Sequence, residues 1–451
     1  MAHSHGSGTR YQLLRADLFK GMLRISAIRG LRHAFRRSYS TLKIEQGTIV
    51  VPDISTPFPF TWLRDSCQCQ ECVHPSTKQK LRESSSTSPN VQPSREHGAV
   101  TIANDAELVV QWDPRSELDK QPHTSRFSFE FLKQYSSPQA LHNFHRDVDI
   151  VRWDAAKVSS SADLYVSYSD LGGPTGLLKA ITQLSRYGLL FVTGVSPEMT
   201  SDHDCELQRL ATTFGEIRET FYGRVWDVKN IKNSKNIAYT NLNLDLHMDL
   251  LYFQHPPRYQ ILHCLRNRVK GGTSVFVDAF KAAEQLHSFS VEAFDCLSNT
   301  PVDFHYINDG HHLHQSHPTF QLTPPYKRTQ NPVRSKMPDI SHINYSPPFQ
   351  APLPLTTPPA LYPSLAKFAE ILRQPENRFE YLLKEGDAVI FDNRRVLHAR
   401  TEFRDWEHGE QPEGALPTAQ GEASRWLKGC YLEADAVWDR MRVLATKQDR
   451  K

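Results

Sequence analysis

The stretch Ala388-Val-Ile-Phe-Asp-Asn-Arg-Arg-Val-Leu-His398 opens on four apolar residues and closes on a histidine. A short run rich in apolar and β-branched residues, bounded by turn formers, reads as a strand. Similar runs recur at Gln260–Leu265, Ser274–Val277 and Trp426–Leu432, and Leu189–Thr193 reads as a buried strand. Leu177, Leu178, Ile181 and Leu184 predict a helix over Gly176–Arg186 that stops at Gly188. A second helix runs near Asp204–Phe214 and stops at Gly215; further helical intervals fall near Ala279–Leu297 and Leu361–Leu372. Many short strands with flanking helices indicate a mainly β fold, a barrel or jelly roll rather than a parallel sheet.

Outward from this region the chain changes character. Residues 1–40 hold eight Lys and Arg against one acid, Asp17; this net +7 leaves −4 for the remainder of a chain whose total is +3. Leu14, Leu18, Met22 and Ile25 recur at helical spacing among the arginines. An arginine-rich, acid-poor amphipathic head is what a mitochondrial presequence requires, so residues 1–40 are set apart from the fold. A matrix location is the expectation, with the cytoplasm as its alternative. The slightly acidic remainder lacks a basic stripe, which argues against nucleic acid, whose phosphates demand clustered cations. No stretch approaches the roughly 18 consecutive apolar residues of a membrane span.

Between Lys43 and about Tyr135, short strands and turns suggest a small first domain, interrupted by the Ser/Pro-rich loop Glu83–His97. A less patterned linker continues to about Ser161. His305–Pro363 is proline-rich and gathers His311, His312, His314 and His317. Without a carboxylate at fixed spacing, that cluster is read as a solvated turn and not as a metal site.

Seven cysteines are present, and Cys67, Cys69 and Cys72 fall within six residues. The odd count and the crowding oppose a disulfide framework. Three thiolates on one turn suit tetrahedral zinc and need a fourth ligand. His74 follows Cys72 so closely that a shared tetrahedron would be cramped, which favours His123. With four protein ligands such a zinc would be structural.

A His-x-acid pair on a strand turns both side chains to one face, where they can share a metal. Three such pairs occur, His145-Arg-Asp147, His247-Met-Asp249 and His408-Gly-Glu410, and spacing does not choose among them. Context favours His247-Met-Asp249, within the aromatic-rich run Tyr239–Tyr252 ahead of a β segment. His398 ends a strand well downstream, and Arg425 precedes another. Two histidines and one carboxylate leave three metal positions open, the arrangement of non-haem Fe(II) oxygenases. A planar, bidentate arginine such as Arg425 suits a dicarboxylate cosubstrate.

Taken together, these residues resemble the γ-butyrobetaine dioxygenase family, the Fe(II)- and 2-oxoglutarate-dependent dioxygenases of carnitine biosynthesis, with trimethyllysine dioxygenase as paralogue. The resemblance runs from about Trp62 to the end. Trp62-Leu-Arg-Asp-Ser-Cys67-Gln-Cys69-Gln-Glu-Cys72 is similar to the family's zinc motif, and His123 falls where its fourth ligand stands. His247, Asp249 and His398 match the catalytic iron triad, and Arg425 matches the arginine that takes the distal carboxylate of 2-oxoglutarate. Ser274, after Gly271-Gly272-Thr273, matches a hydroxyl near that carboxylate. The fold so implied is a double-stranded β-helix (jelly roll) over residues 160–446, preceded by a zinc-binding β domain over 41–140. The implied cofactors are Fe(II), 2-oxoglutarate as cosubstrate and structural Zn(II), with ascorbate a further candidate; the implied assembly is a homodimer.

A trimethylammonium group has no N–H to donate, so aromatic faces hold it, at roughly 0.5–2 kcal/mol per contact. Tyr222, Trp226, Tyr239 and Tyr431 match the cage aromatics of γ-butyrobetaine dioxygenases, and Asn236 matches the asparagine that anchors the substrate carboxylate. A trimethyllysine enzyme is expected to carry an aspartate at that place. The expected substrate is therefore a small quaternary ammonium carboxylate, γ-butyrobetaine, hydroxylated to L-carnitine with succinate and CO2 as coproducts. Trimethyllysine dioxygenase, a related betaine hydroxylase, and a non-catalytic betaine- or zinc-binding protein are the alternatives. Several features depart from the family. Ser346 stands where another substrate asparagine is expected, Arg394-Arg395 replaces Trp-Arg before the distal histidine, and residues 318–363 and 405–421 are longer. A presequence fits the trimethyllysine enzymes at least as well.

Overall fold

The computed structural model describes residues 42–52, 54–118, 120–229, 240–324, 337–407, 410–411, 418 and 421–450. The presequence expected over residues 1–40 lies outside them, as do Asn236, Tyr239 and His408. The chain divides into two units, one formed by residues 1–102 and 109–125, the other by 103–108 and 126–451.

In the first unit, Lys43–Glu45, Thr48–Val50 and Pro57–Pro59 form a three-stranded antiparallel sheet. Pro57 and Pro59 cannot donate to a ladder, and their strand accordingly lies at the edge. It leads into the helix Phe60–Asp65, which buries Leu63 and Arg64. Arg64 tolerates burial because the buried carboxylate of Glu117 meets it, and Arg82 reaches the same carboxylate at 3.2 Å. Trp112 Nε1 donates to Ser125 Oγ at 2.9 Å, which satisfies a buried indole N–H.

In the second unit two sheets face each other. The larger has the order Trp226–Lys229, Arg425–Leu432, Tyr259–Asn267, Ala388–Asp392, Leu189–Thr193, Tyr165–Ser167, with Ile217–Arg218 pairing the far end of Arg425–Leu432. The smaller runs Leu244–His247, Val396–Arg400, Ser274–Asp278, Phe379–Tyr381. Side chains alternate across each strand, so Leu189, Phe191, Val389, Phe391 and Leu427 of the larger sheet meet Phe276, Phe379 and Val396 of the smaller. Leu190, Val192, Ile261 and Ile390 point the other way, under the helices Pro174–Tyr187, Glu206–Phe214 and Ala434–Asp449. Val277 and Leu397 of the smaller sheet likewise lie with Phe280, Phe294 and Phe368 of the helices Ala279–Phe289, Val291–Asn299 and Leu361–Leu372. Burial on both faces explains why these strands read as continuous apolar runs. The arrangement is a jelly roll.

Three expectations need correction. The interval Ala279–Leu297 is two helices, broken at Ser290, whose hydroxyl accepts from Ala293 N–H and caps the second. The linker before Ser161 contains the short helices Pro138–Phe144 and Ala155–Ser159, N-capped by Ser137 and Asp154. The histidines of His305–Pro363 do not form a solvated turn: Pro301–Asn308 and His311–Pro318 pair as a hairpin through Asp309-Gly310, both at positive φ. His311, Leu313, Gln315 and His317 are covered while His312, His314 and Ser316 are exposed, a strand alternation hidden by polar residues on both faces. Among the described residues, no helix is long and apolar enough to cross a membrane.

Candidate active site

His247 ends the strand Leu244–His247, and antiparallel pairing sets it opposite His398 of Val396–Arg400. The two imidazole rings lie 4.2 Å apart. Just past the strand end, Asp249 brings Oδ1 to 3.4 Å from His247 Nε2. One ligand atom from each of the three residues falls within 4.8 Å of the others. His247 Nδ1 lies 2.8 Å from the Asp245 carbonyl. A carbonyl only accepts, so the proton sits on Nδ1 and the Nε2 lone pair is left for a metal. His398 Nδ1 is buried with no hydrogen-bond partner among the described residues. Two imidazoles and one carboxylate, converging on the side of a cavity, are the donor set Fe(II) takes with open positions to spare.

The electrostatics agree with that fit. Burial would raise the Asp249 carboxyl, but His247, His398 and the Tyr431 hydroxyl together hold it below the usual carboxylate range. Burial, helped by His247, lowers His398 to about 3, so it is neutral and ligand-ready at any physiological pH. Two side chains that the sequence reading did not connect with the ligands fix Asp249 in place. Asn393, fully buried, accepts from Asp249 N–H at 2.8 Å and donates to its carbonyl at 3.0 Å. Tyr431 donates its hydroxyl to Asp249 Oδ2 at 2.9 Å.

These residues open on a cavity lined also by Trp226, Leu262, Phe276 and Leu427. Arg425 and Ser274 both line it. Arg425 is 3% exposed, its Nε is without a partner among the described residues, and burial lowers its pKa to about 10, so it stays charged. Gly272 makes room for it, since a Cβ there, at φ +72°, would lie 2.9 Å from Arg425 Nε. Two further polar side chains line the cavity. Arg400 donates to the Thr240 and Leu242 carbonyls at 2.8 and 2.6 Å, and burial beside Arg425 lowers it to about 10. Gln260 turns a buried Oε1, unpartnered among the described residues, within the same wall. Strand alternation was the available signal for Arg400, two residues beyond His398 and on the same face.

Of the four cage candidates, three are described. Trp226 lies 5.3 Å from Tyr431 and 6.5 Å from Tyr222, ring centre to ring centre. Gly429, paired with Trp226, is the reason the indole lies flat across the neighbouring strand: a Cβ there would meet Cη2 at 2.2 Å. The aromatic set is larger than the sequence indicated. Tyr252 shares a hydroxyl contact of 3.3 Å with Tyr222, and Phe221 lies 4.1 Å from Tyr222. Ser346 is buried with an unpartnered hydroxyl, and the residue before it, Tyr345, accepts from Met248 N–H at 2.9 Å. His145-Arg-Asp147 is no ligand pair, for Asp147 is taken by Arg442 at 2.6 Å.

In the first unit, Cys67, Cys69 and Cys72 gather around His123 Nε2 at 3.3, 3.8 and 3.7 Å. Contacts with Cys72 and His123 lower the Cys67 thiol, while Cys67 pushes Cys72 up, the opposed shifts of sulfurs crowded together. His74 instead accepts from Thr77 N–H at 3.2 Å within its own turn.

Residues 159–431 match the family described as taurine catabolism dioxygenase TauD, TfdA family. The chain belongs to this family. A relative from Strobilurus tenacellus, Dioxygenase str8, is 46% identical over 409 residues, covering 91% of this chain and 90% of its own. The γ-butyrobetaine dioxygenase of Homo sapiens is 27% identical over 394 residues, 86% of this chain and 91% of that one. The mitochondrial trimethyllysine dioxygenase of Gallus gallus is 29% identical over 395 residues, 86% and 83%. The TauD-family chain is thus a 2-oxoglutarate-dependent dioxygenase related to the γ-butyrobetaine and trimethyllysine enzymes.

Proposed function

We propose that this TauD-family dioxygenase hydroxylates γ-butyrobetaine to L-carnitine in carnitine biosynthesis. The observation that carries the reading is the run of ring faces Tyr222, Trp226 and Tyr431 ending at Asp249, one of the three proposed metal ligands. Ring faces hold a cation without asking it for a proton, which is what a trimethylammonium group requires. The relatives of both substrate classes stand at nearly the same identity, so the choice between them rests on the pocket. Asn236, uncharged, offers a substrate carboxylate a donor and offers an α-ammonium no counter-charge.

His247, Asp249 and His398 would hold the iron, and Arg425 would take the far carboxylate of 2-oxoglutarate in its two-pronged fork, with Ser274 beside it. When bound, the iron and its keto-acid cosubstrate supply the oxidising power for attack on an unactivated C–H bond. The chain's share is positioning. Burial strengthens the Arg425 fork, since water does not compete for it. Leu262, Phe276 and Leu427 keep the cavity dry, and the ring faces turn one methylene of the substrate toward the metal. Cys67, Cys69, Cys72 and His123 would hold a structural zinc in the first unit. The basic head supports a mitochondrial destination, as does the mitochondrial trimethyllysine relative.

Side-by-side turnover of γ-butyrobetaine and trimethyllysine, with Fe(II), 2-oxoglutarate and air, tests the substrate choice. Hydroxylated γ-butyrobetaine as the faster product is expected. Product from trimethyllysine alone would overturn it, and favour the related activity.

A further inference from the structure

Apart from the cavity that Arg425 and Arg400 line, the second unit buries more positive than negative charge in a further place. Arg394, 5% exposed, donates one Nη to Asn344 Oδ1 at 2.7 Å, and its Nε is buried with no acceptor among the described residues. No carboxylate lies within ion-pair distance of it among those residues, and burial with Arg258 close by lowers its pKa to about 10, leaving it charged. Arg258 gives one Nη to Asp392 at 2.6 Å, and its own Nε is also buried without an acceptor among the described residues. His342 lies near both guanidiniums and His317 near Arg394; burial first, and then the arginine charge, keeps both imidazoles below their ordinary pKa. The group therefore holds two guanidinium charges against the single carboxylate of Asp392.

A buried charge is tolerated when it is paired and its hydrogen bonds are met. Water can satisfy an N–H but does not balance a charge. We propose that Arg394 and Arg258 form an anion site for a small oxyanion of the carboxylate or phosphate class. Two planar donor forks with unfilled Nε positions match the paired oxygens of such groups. Arg394 is also one half of the Arg394-Arg395 pair that departs from the family pattern. Arg395 is accounted for differently, by a bidentate pair with Asp278 at 3.0 and 2.7 Å.

The test is thermal unfolding of the full, metal-loaded chain at constant ionic strength, with chloride replaced stepwise by inorganic phosphate and, in a second series, by acetate. The wild type is expected to gain roughly 3–5 °C as the anion approaches about 100 times its Kd. Arg394→Gln should lose the gain and Arg394→Lys should keep part of it; Arg258→Gln is the second variant if Arg394→Gln does not fold. A gain with phosphate alone or with acetate alone supports the site and names the oxyanion, and gains with both support the shared class. No gain with either anion, or an equal gain in Arg394→Gln, would overturn it.

Discussion

Replacing Tyr431 by Phe deletes one oxygen and leaves the ring. The deleted hydroxyl donates to Asp249 Oδ2 at 2.9 Å, while the ring, 5.3 Å from Trp226, stays available to a cation. A hydrogen bond to a charged group contributes about 1.5–3 kcal/mol, and outer partners of metal ligands typically alter metal affinity by about 10–100-fold. Tyr431→Phe should therefore weaken Fe(II) binding by about 10–100-fold and change the KM for γ-butyrobetaine by no more than about threefold. Anaerobic Fe(II) titration gives the first quantity, and succinate formation at saturating iron gives the second. An unchanged iron affinity, or a substrate KM that rises as much as the metal Kd, would refute the separation of hydroxyl and ring.

Three further outcomes are expected. In Gly429→Ala a Cβ must displace the Trp226 indole, so the KM for γ-butyrobetaine should rise about tenfold while that for 2-oxoglutarate holds; equal changes in both would point to general disruption. Burial lowers His398 to about 3 and His263 to about 4, so below their unfolded pKa near 6.5 the unfolded chain binds protons that the folded one refuses. Metal-free protein should then lose about 2 kcal/mol per histidine between pH 7 and 5, read by urea unfolding, and a flat profile would contradict this burial. Cys72→Ser should remove one equivalent of zinc by elemental analysis and lower Tm, without changing the iron content; full zinc retention would count against the four-ligand cluster.

Much of this architecture was legible because the jelly-roll strands are buried on both faces. Leu189–Thr193, Ser274–Asp278 and Ala388–Asp392 announce themselves as apolar runs, and no partner strand is needed to see them. The convergence of the proposed metal ligands was legible because His247 and Asp249 are close in sequence and His398 ends a recognisable strand. The hairpin Pro301–Pro318 was not: Val302, Phe304 and Tyr306 alternate on its first strand, but His311–Pro318 carries histidines on both faces and its period-2 hydrophobicity vanishes. Asn393 and Tyr431 as supports of Asp249 were hidden for another reason. Their partner lies 144 and 182 residues away, and only the fold brings them together.

On the proposed function, one iron held by His247, Asp249 and His398 couples 2-oxoglutarate breakdown to oxidation of a caged betaine. Simultaneous measurement of succinate and L-carnitine from γ-butyrobetaine, in wild type and in His247→Ala, tests it most directly. Equal amounts of the two products are expected in the wild type and neither in the variant. Succinate without L-carnitine, or products undiminished in His247→Ala, would contradict it.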